Sequence, residues 1–211
     1  MEKPLALTLL YTSNIRGDIH MLPRLYTFMQ SLLPAQRQGT LLLDLGNACA
    51  DEVWHCEITR GRSTLIVLDG MGYHVANVDS TLDPINRAKA EDVVTMGLVY
   101  AGRNWAYHIP PVTDETIQVT AHPIADDNLR LQIDLTPADM TQLDKRVLRL
   151  QDVSAGQVGV VQVDLTDNIP QLAGSTIHDL PANTPPNPTI VASVEFVESE
   201  ARYFQKKQDE S

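Results

Sequence analysis

Apolar positions along this chain follow two different rhythms, and the change comes near residue 92. In the first part, short continuous apolar runs alternate with helical spacings. Leu5–Tyr11 and Thr40–Asp44 read as strands buried on both faces. Between them Leu25, Phe28, Met29, Leu32 and Leu33 share one helical face, with Pro23 in the first turn and Pro34 as the stop. The polar stretch holding Asp51, Glu52 and Glu57 reads as a loop. Thr64–Met71 predicts a second helix, closed by Gly70 and Gly72, and His74–Val78 a third strand. Asp83-Pro84 supplies a cap and a first helical position for a further short helix. This βαβαβ order implies a parallel sheet with right-handed crossovers.

The second part is strand-rich. Val93–Tyr100, Trp105–Ile109, Glu115–Ala121, Asn128–Leu135, Val147–Leu150, Gln157–Leu165 and Thr189–Val197 carry β-branched or alternating patterns. Ile117, Val119 and Ala121 alternate with polar neighbours, as do Leu129, Leu131, Ile133 and Leu135, which predicts a sheet with one wet face. Thr136-Pro137-Ala138-Asp139 reads as a helix start, with the helix running to about Lys145. Five prolines from Pro170 to Pro188 predict an irregular, extended connection. From about Glu198 the charged residues read as a frayed helix or loose tail. The expected organisation is therefore one domain over 1–197, with a βαβαβ half to residue 92 and a strand-rich half after it, and a charged tail over 198–211.

Composition adds limits. The 211 residues are 43% apolar and 20% charged, which is ordinary globular usage. Sixteen basic against 27 acidic residues give a net charge of −11, so no counterion-releasing surface is offered to nucleic acid. No apolar stretch reaches the ~18–20 residues of a membrane span. The start, Met-Glu-Lys-Pro, has neither a basic region nor an apolar core, so no secretory signal is read and the expected compartment is the cytoplasm. Two cysteines, Cys49 and Cys56, are too few for a structural zinc site or a disulfide framework.

Chemistry concentrates where strands end. Three polar clusters follow the first three strands: Tyr11-Thr12-Ser13-Asn14-Ile15-Arg16-Gly17, Asp44-Leu45-Gly46-Asn47 and Asn77-Val78-Asp79-Ser80-Thr81-Leu82-Asp83. In an open α/β sheet these are the carboxyl ends, where ligand sites are built. With their strands the clusters resemble the metallophosphoesterase (calcineurin-like) superfamily, in particular the N-terminal domain of 5′-nucleotidases. Leu7–Gly17 matches that family's "LTILHTNDxHG", Leu41–Asn47 its "LLLDAGD", and Leu68–Ala76 its "mNalGyDav". The "GNHEFD" segment falls on Asp79–Asp83. Gly156–Leu165 is similar to the closing sheet of the same fold. The resemblance implies an α/β (α+β) fold, a two-sheet αββα sandwich in truncated form.

The same resemblance implies a site with two metal ions, held by Asp and His at the first motif, a bridging Asp at the second, and Asn and His at the third. At the matching positions this chain has Asn14, Arg16, Asn47, Ser80 and Thr81, and a GHxH sequence is absent. Neutral amides and an Arg cation in place of carboxylates and imidazoles work against two divalent ions. Asp44 alone is retained, in a position expected to orient its loop. The expectation is a catalytically inactive phosphoesterase-like domain with no cofactor and a binding or structural role, its ligand a small phosphorylated molecule or a protein partner. Two alternatives stand beside it. One is an active phosphoesterase or nucleotidase that holds Mn, Zn or Fe through the shifted pair Asp18 and His20. The other is an unrelated α/β interaction domain.

Other candidates have plain readings. Cys49, His55 and Cys56, with Asp51 and Glu52 nearby, follow no standard metal spacing, and the cysteines read as small reduced hydrophobes, with a nucleophilic role the alternative. Arg16, Arg60 and Arg62 form a candidate anion-binding cluster, since guanidinium groups match phosphate geometry. His74 reads as a structural histidine. His108 and His122 read as surface residues near the carboxylates at 114, 115, 126 and 127, and Trp54 and Trp105 as packing residues.

Overall fold

The computed structural model describes residues 6–34, 39–108, 116–124, 129–166 and 169–210. The elements run β1 (Ala6–Thr12), α1 (Leu22–Leu32), β2 (Thr40–Asp44), α2 (Trp54–Thr59), α3 (Arg62–Gly70), β3 (Val75–Asn77), α4 (Pro84–Glu91) and β4 (Gly97–Val99). They continue with β5 (Trp105–His108), β6 (Thr116–Thr120), β7 (Leu131–Ala138), β8 (Gln142–Asp144), β9 (Val147–Gln151), β10 (Gln157–Asp164), β11 (Gln171–Asp179) and α5 (Pro188–Asp209).

Strands β1 to β4 pair in parallel, as the βαβαβ order predicts. Strand β10 adds antiparallel to β1, and β11 antiparallel to β10, giving a six-stranded sheet of order β11-β10-β1-β2-β3-β4. A second sheet has the order β5-β6-β7-β9-β8. Alternation along the strands divides the apolar residues between two cores. Leu7, Leu9, Leu41, Leu43 and Val75 face the second sheet and meet Ile117, Val119, Leu131, Ile133, Leu135 and Leu148. Leu10, Leu42, Ala76 and Leu98 point the other way, into Leu22, Leu25 and Met29 of α1, Leu65 and Leu68 of α3, and Ile190, Val194 and Val197 of α5. The continuous runs of β1 and β2 thus reflect burial between helices and a second sheet.

The outer face of the second sheet is polar, as the alternation of β6 and β7 predicts. Gln132 donates to Gln118 at 2.9 Å, and Arg149 pairs with Asp134 at 3.7 Å. Among the described residues, no helix contributes to the core on this sheet.

Caps explain where the helices begin. Asp83 accepts the Asn86 backbone N–H at 2.9 Å ahead of Pro84. Asn187 accepts the N–H groups of Thr189 and Ile190 ahead of Pro188.

Four expectations are corrected. Thr189–Val197 is not a strand: it lies within the 22-residue helix α5, which continues through the expected tail to Asp209. Its β-branched residues are helical because Ile190, Val194, Val197 and Ala201 recur at helical spacing and bury one stripe. No helix starts at Thr136. Strand β7 runs to Ala138, with Thr136 and Pro137 exposed, and residues 142–144 form β8. The polar stretch after β2 is not all loop, because His55, Cys56 and Thr59 are buried on the short helix α2. The proline-rich connection contains β11, between Pro170 and Pro181. Asp114, Glu115, Asp126 and Asp127, offered as neighbours of His108 and His122, lie outside the described residues.

Candidate functional site

The parallel sheet brings the ends of β1, β2 and β3 to one edge, beside the ends of β6 and β7. The β1 and β2 loops run together through three backbone bonds: Asn14 N–H to Gly46 O, Arg16 N–H to Asn47 O, and Gly17 N–H to Ala48 O. Asn14, Arg16 and Asn47 all have left-handed backbone, with φ of 57°, 53° and 57°. Non-glycine residues so placed carry strain, and such residues gather at functional sites. This strand edge therefore has the backbone of a site.

Its side chains bond to one another and to the loop before β10. Asn47 Nδ2 donates to Asn14 Oδ1 at 2.9 Å. Asn14 Nδ2 donates to Asp152 Oδ1 and to Val153 O, both at 2.9 Å. The two amides thus link β1, β2 and the loop before β10. Arg16 points away from them and pairs with Glu52 at 2.5 Å, both largely exposed.

Asp44 lies beneath, fully buried. Its Oδ2 accepts the Gly46 N–H at 3.2 Å, and its Oδ1 is bonded to Thr12 Oγ1 at 3.2 Å. Thr12 in turn meets the Tyr73 hydroxyl at 2.9 Å, and Tyr73 donates to the Met29 sulfur at 3.4 Å. Burial pushes the Asp44 carboxyl up to about 8. It pushes the Tyr73 phenol well above its ordinary range.

A cavity of about 140 Å³ opens at the same edge, lined among others by Asn47, Asn77, Asp79, Ser80, His122 and Thr136. Asn77 braces it, donating to Leu45 O at 3.1 Å and to Leu135 O at 3.2 Å, and so joins the two sheets. Asp79 is the most heavily engaged group. It accepts the Ala101 N–H at 2.7 Å, holds His122 Nε2 at 2.8 Å, and sits 3.5 Å from Arg87. The Ala101 bond, then His122 and Arg87, hold its carboxyl below the usual range. Arg87 also lies 4.5 Å from the centre of the Tyr100 ring.

The structure therefore joins Asn14 to Asn47 and places Asn47 beside Ser80. It separates the rest. Thr81 does not line the cavity, and its N–H closes a turn on Val78 O. Arg60 takes the left-handed cap of α2 and Arg62 opens α3, and neither of the two cavities at this end of the sheet is lined by Arg16, Arg60 or Arg62. Asp18 accepts the Met21 N–H at 3.2 Å in the turn before α1, and His20 lies 3.2 Å from Glu198. Both belong to a separate open groove of about 750 Å³ near Arg24 and Asp179. His122, read from sequence as a surface residue, reaches this edge from the second sheet. Its signal was the polar pair Asp79 and His122 at two strand ends, which only the sheet packing brings together.

The residues at this edge do not fit two divalent cations. Two amides are bonded to one another, Asp152 accepts from Asn14, Asp44 is buried and bonded to Thr12 and Gly46, and Asp79 already faces an arginine and a histidine. Such a pair needs several anionic oxygens converging on ions ~3.5–4 Å apart. Among the described residues, the group of His, Cys and carboxylate atoms close enough to share an ion is instead Cys49, His55 and Cys56, within 4.8 Å of one another. Its donors are committed. Cys49 and Cys56, expected as reduced thiols, form a disulfide. The buried His55 bonds Ser63 Oγ through Nδ1 at 2.8 Å and Gly17 O through Nε2 at 2.9 Å. Burial lowers its pKa and favours the neutral ring. The half-buried His74 is likewise structural, accepting the Leu42 N–H on Nδ1 at 3.0 Å.

Two packed sheets, with the strand edge described, define the architecture of metallophosphoesterases and of 5′-nucleotidase N-terminal domains, and this chain has that fold. The calcineurin-like phosphoesterase YfkN from Bacillus subtilis superposes with a TM-score of 0.63 at 10% identity, over 96% of this chain and 100% of that one. The NAD nucleotidase NadN from Haemophilus influenzae superposes with a TM-score of 0.61 at 8% identity, over 99% of this chain. This chain spans 61% of the NadN chain. No family model and no curated protein matches by sequence. No described helix is long and apolar enough to cross a membrane.

Proposed function

We propose that this chain is a catalytically inactive phosphoesterase-fold protein that acts by binding a protein partner. One observation carries the reading: Asn47 donates to Asn14 where the resemblance calls for a carboxylate bridging two metals. The Asn14 oxygen is occupied by Asn47 and its N–H group by Asp152 and Val153, so these side chains hold the edge together. Asp79, the carboxylate that lines the cavity, already faces Arg87 and His122, and no Lys or Arg is among the described residues lining it. The partner follows from size. A cavity of about 140 Å³ is well below the ~300 Å³ at which ligand pockets begin, so a nucleotide does not fit. In the larger groove, Arg24 is engaged with the carbonyls of Pro181, Ala182 and Thr184.

Elemental analysis of the purified chain tests this, together with turnover of an aryl phosphate and a bis-aryl phosphodiester in added Mn²⁺. Substoichiometric Mn, Zn and Fe and no hydrolysis are expected. A stoichiometric metal with turnover abolished by Asp18→Ala or His122→Ala overturns the reading. Asp18 and His20 lie apart from Asn47 and Ser80, so no observation favours the active alternative.

A further inference from the structure

We infer that the outer face of α5 is the interface of a twofold homodimer, in which two α5 helices cross antiparallel. The inference deepens the binding role proposed above by naming the partner as a second copy of this chain. At 3.6 residues per turn, Ala192, Phe196, Ser199 and Tyr203 fall in a stripe about 60° wide. The stripe lies opposite the buried row of Ile190, Val194, Val197 and Ala201. Phe196 is 60% and Tyr203 63% exposed. Trp54 of α2 flanks them, 37% exposed and 5.9 Å from the Arg202 guanidinium. Among the described residues, these three are the exposed aromatics of Phe or Trp size or with a phenol ring, and all border one helix. Aromatic side chains with an arginine are what interface centres are made of.

The order of residues selects the occupant. Phe196 and Tyr203 stand two turns apart, with small Ser199 near their midpoint. A twofold axis there seats Phe196 against Tyr203 of the second copy, twice, and lets the backbones approach at Ser199. Charge follows the same axis. On one flank of the stripe Glu195 precedes it and Arg202 and Lys206 follow. Reversing one helix brings each Glu195 opposite Arg202 and Lys206 of the other copy. A surface acidic before its centre and basic after it is complementary to itself. A lipid surface fits less well, because a chain of net charge −11 is repelled by anionic headgroups.

Sedimentation of the full chain at micromolar concentration, with and without substitutions, tests the inference. The wild-type chain is expected to be dimeric. Phe196→Asp should raise the dimer dissociation constant at least about thirtyfold, the factor for losing an interface hot spot. Its thermal unfolding midpoint, extrapolated to low concentration, should stay put because the position faces solvent. Glu195→Lys and Lys206→Glu should each weaken self-association, and mixing the two variants should restore a dimer. A monomeric wild type overturns the inference. So does a dimer indifferent to Phe196→Asp and to the charge swap, or a monomer that binds phosphatidylserine vesicles through α5. The two readings fail separately. A metal-loaded, active chain that dimerises through α5 sinks only the inactive reading, and an inactive monomer sinks only this one.

Discussion

Asn47 and Asn14 are 33 residues apart, and a 2.9 Å bond between their side chains ties the loops after two parallel strands. The geometry needs one partner to offer an N–H and the other an oxygen. Asn47→Asp removes the donor and sets a carboxylate against the Asn14 oxygen, near Asp152. Losing an exposed hydrogen bond of this kind costs about 0.5–1.5 kcal/mol. Chemical denaturation should show a loss in that range. Titration calorimetry with Mn²⁺ should still show no stoichiometric binding, because one restored carboxylate leaves the other anionic ligands missing. Tight binding by this single variant would mean that the edge retains most of a metal site.

Asp79 and His122 make a second test of how this edge is built. Asp79→Asn keeps the size but removes the charge that faces both Arg87 and His122. The pair is partly exposed, so its ion pairing is screened and the expected loss is modest, about 1 kcal/mol. Asp79→Ala also abandons the Ala101 N–H and should cost more, by about another 1 kcal/mol. The order of the two losses, read from urea midpoints, separates the charge from the backbone bond.

Most of the first sheet was legible because each signal agreed with the next. Continuous apolar runs marked β1 and β2, Pro23 and Asp83-Pro84 marked helix starts, and the chain order fixed parallel pairing. Helix α5 misled because Thr189, Ile190, Val191 and Val194 favour strands locally, whereas packing against α1 and α3 decides. The Asn187 cap and the 190-194-197-201 spacing carried the right answer. At the site, the positions at the ends of β1, β2 and β3 could be read, since parallel strands must end together. The directions of side chains could not. Arg16 turns to Glu52 because loop geometry puts that carboxylate within reach, and His122 enters from a sheet whose register depends on distant residues.

The disulfide closes a short loop between residues seven apart and ties the segment after Asn47 to α2. Loop-closure entropy for a ring of this length corresponds to about 2–3 kcal/mol. Cys49→Ser, Cys56→Ser and reduction of the wild type by a dithiol should each lower stability by up to that amount. Dithiol should leave either serine variant unchanged. A wild type equally stable with and without reductant would show that the bridge contributes nothing.

Gly17 and Gly72 both have φ of 82°, so alanine strains the backbone equally at each. Their surroundings differ. A Cβ at Gly17 would lie 2.9 Å from Cys56 Sγ and 3.0 Å from Val53 Cγ1, whereas at Gly72 nothing lies within 4 Å. Gly72→Ala measures the conformational cost alone, about 1 kcal/mol. Gly17→Ala adds a clash with a disulfide sulfur that cannot swing away, and overpacking typically costs a further ~1–3 kcal/mol. Equal losses in the two variants would mean that the loop at Gly17 yields freely.

Asp44 gives stability a dependence on pH with a definite sign. Its folded pKa is raised to about 8, while the unfolded chain titrates near ~3.9. Below about pH 4 both states keep the proton, and the contribution of this group is fully present. Between there and about pH 8 the unfolded state releases a proton that the folded state retains, so stability falls as pH rises. The slope is at most about 1.4 kcal/mol per pH unit, and it vanishes once both states are ionised. Other groups act in lower windows and in the opposite sense. Carboxylates held low, such as Asp79, stabilise as pH rises through the acid range, and His55 and His74, held low by burial, do so up to about pH 6.5. Asp44 is therefore isolated between about pH 6.5 and 8. Urea denaturation across that interval should show the wild type losing stability, whereas Asp44→Asn, neutral throughout, stays level. A flat wild-type profile would require Asp44 to be ionised at neutral pH in the folded chain, with a compensating cation that the burial around Thr12 and Tyr73 does not provide.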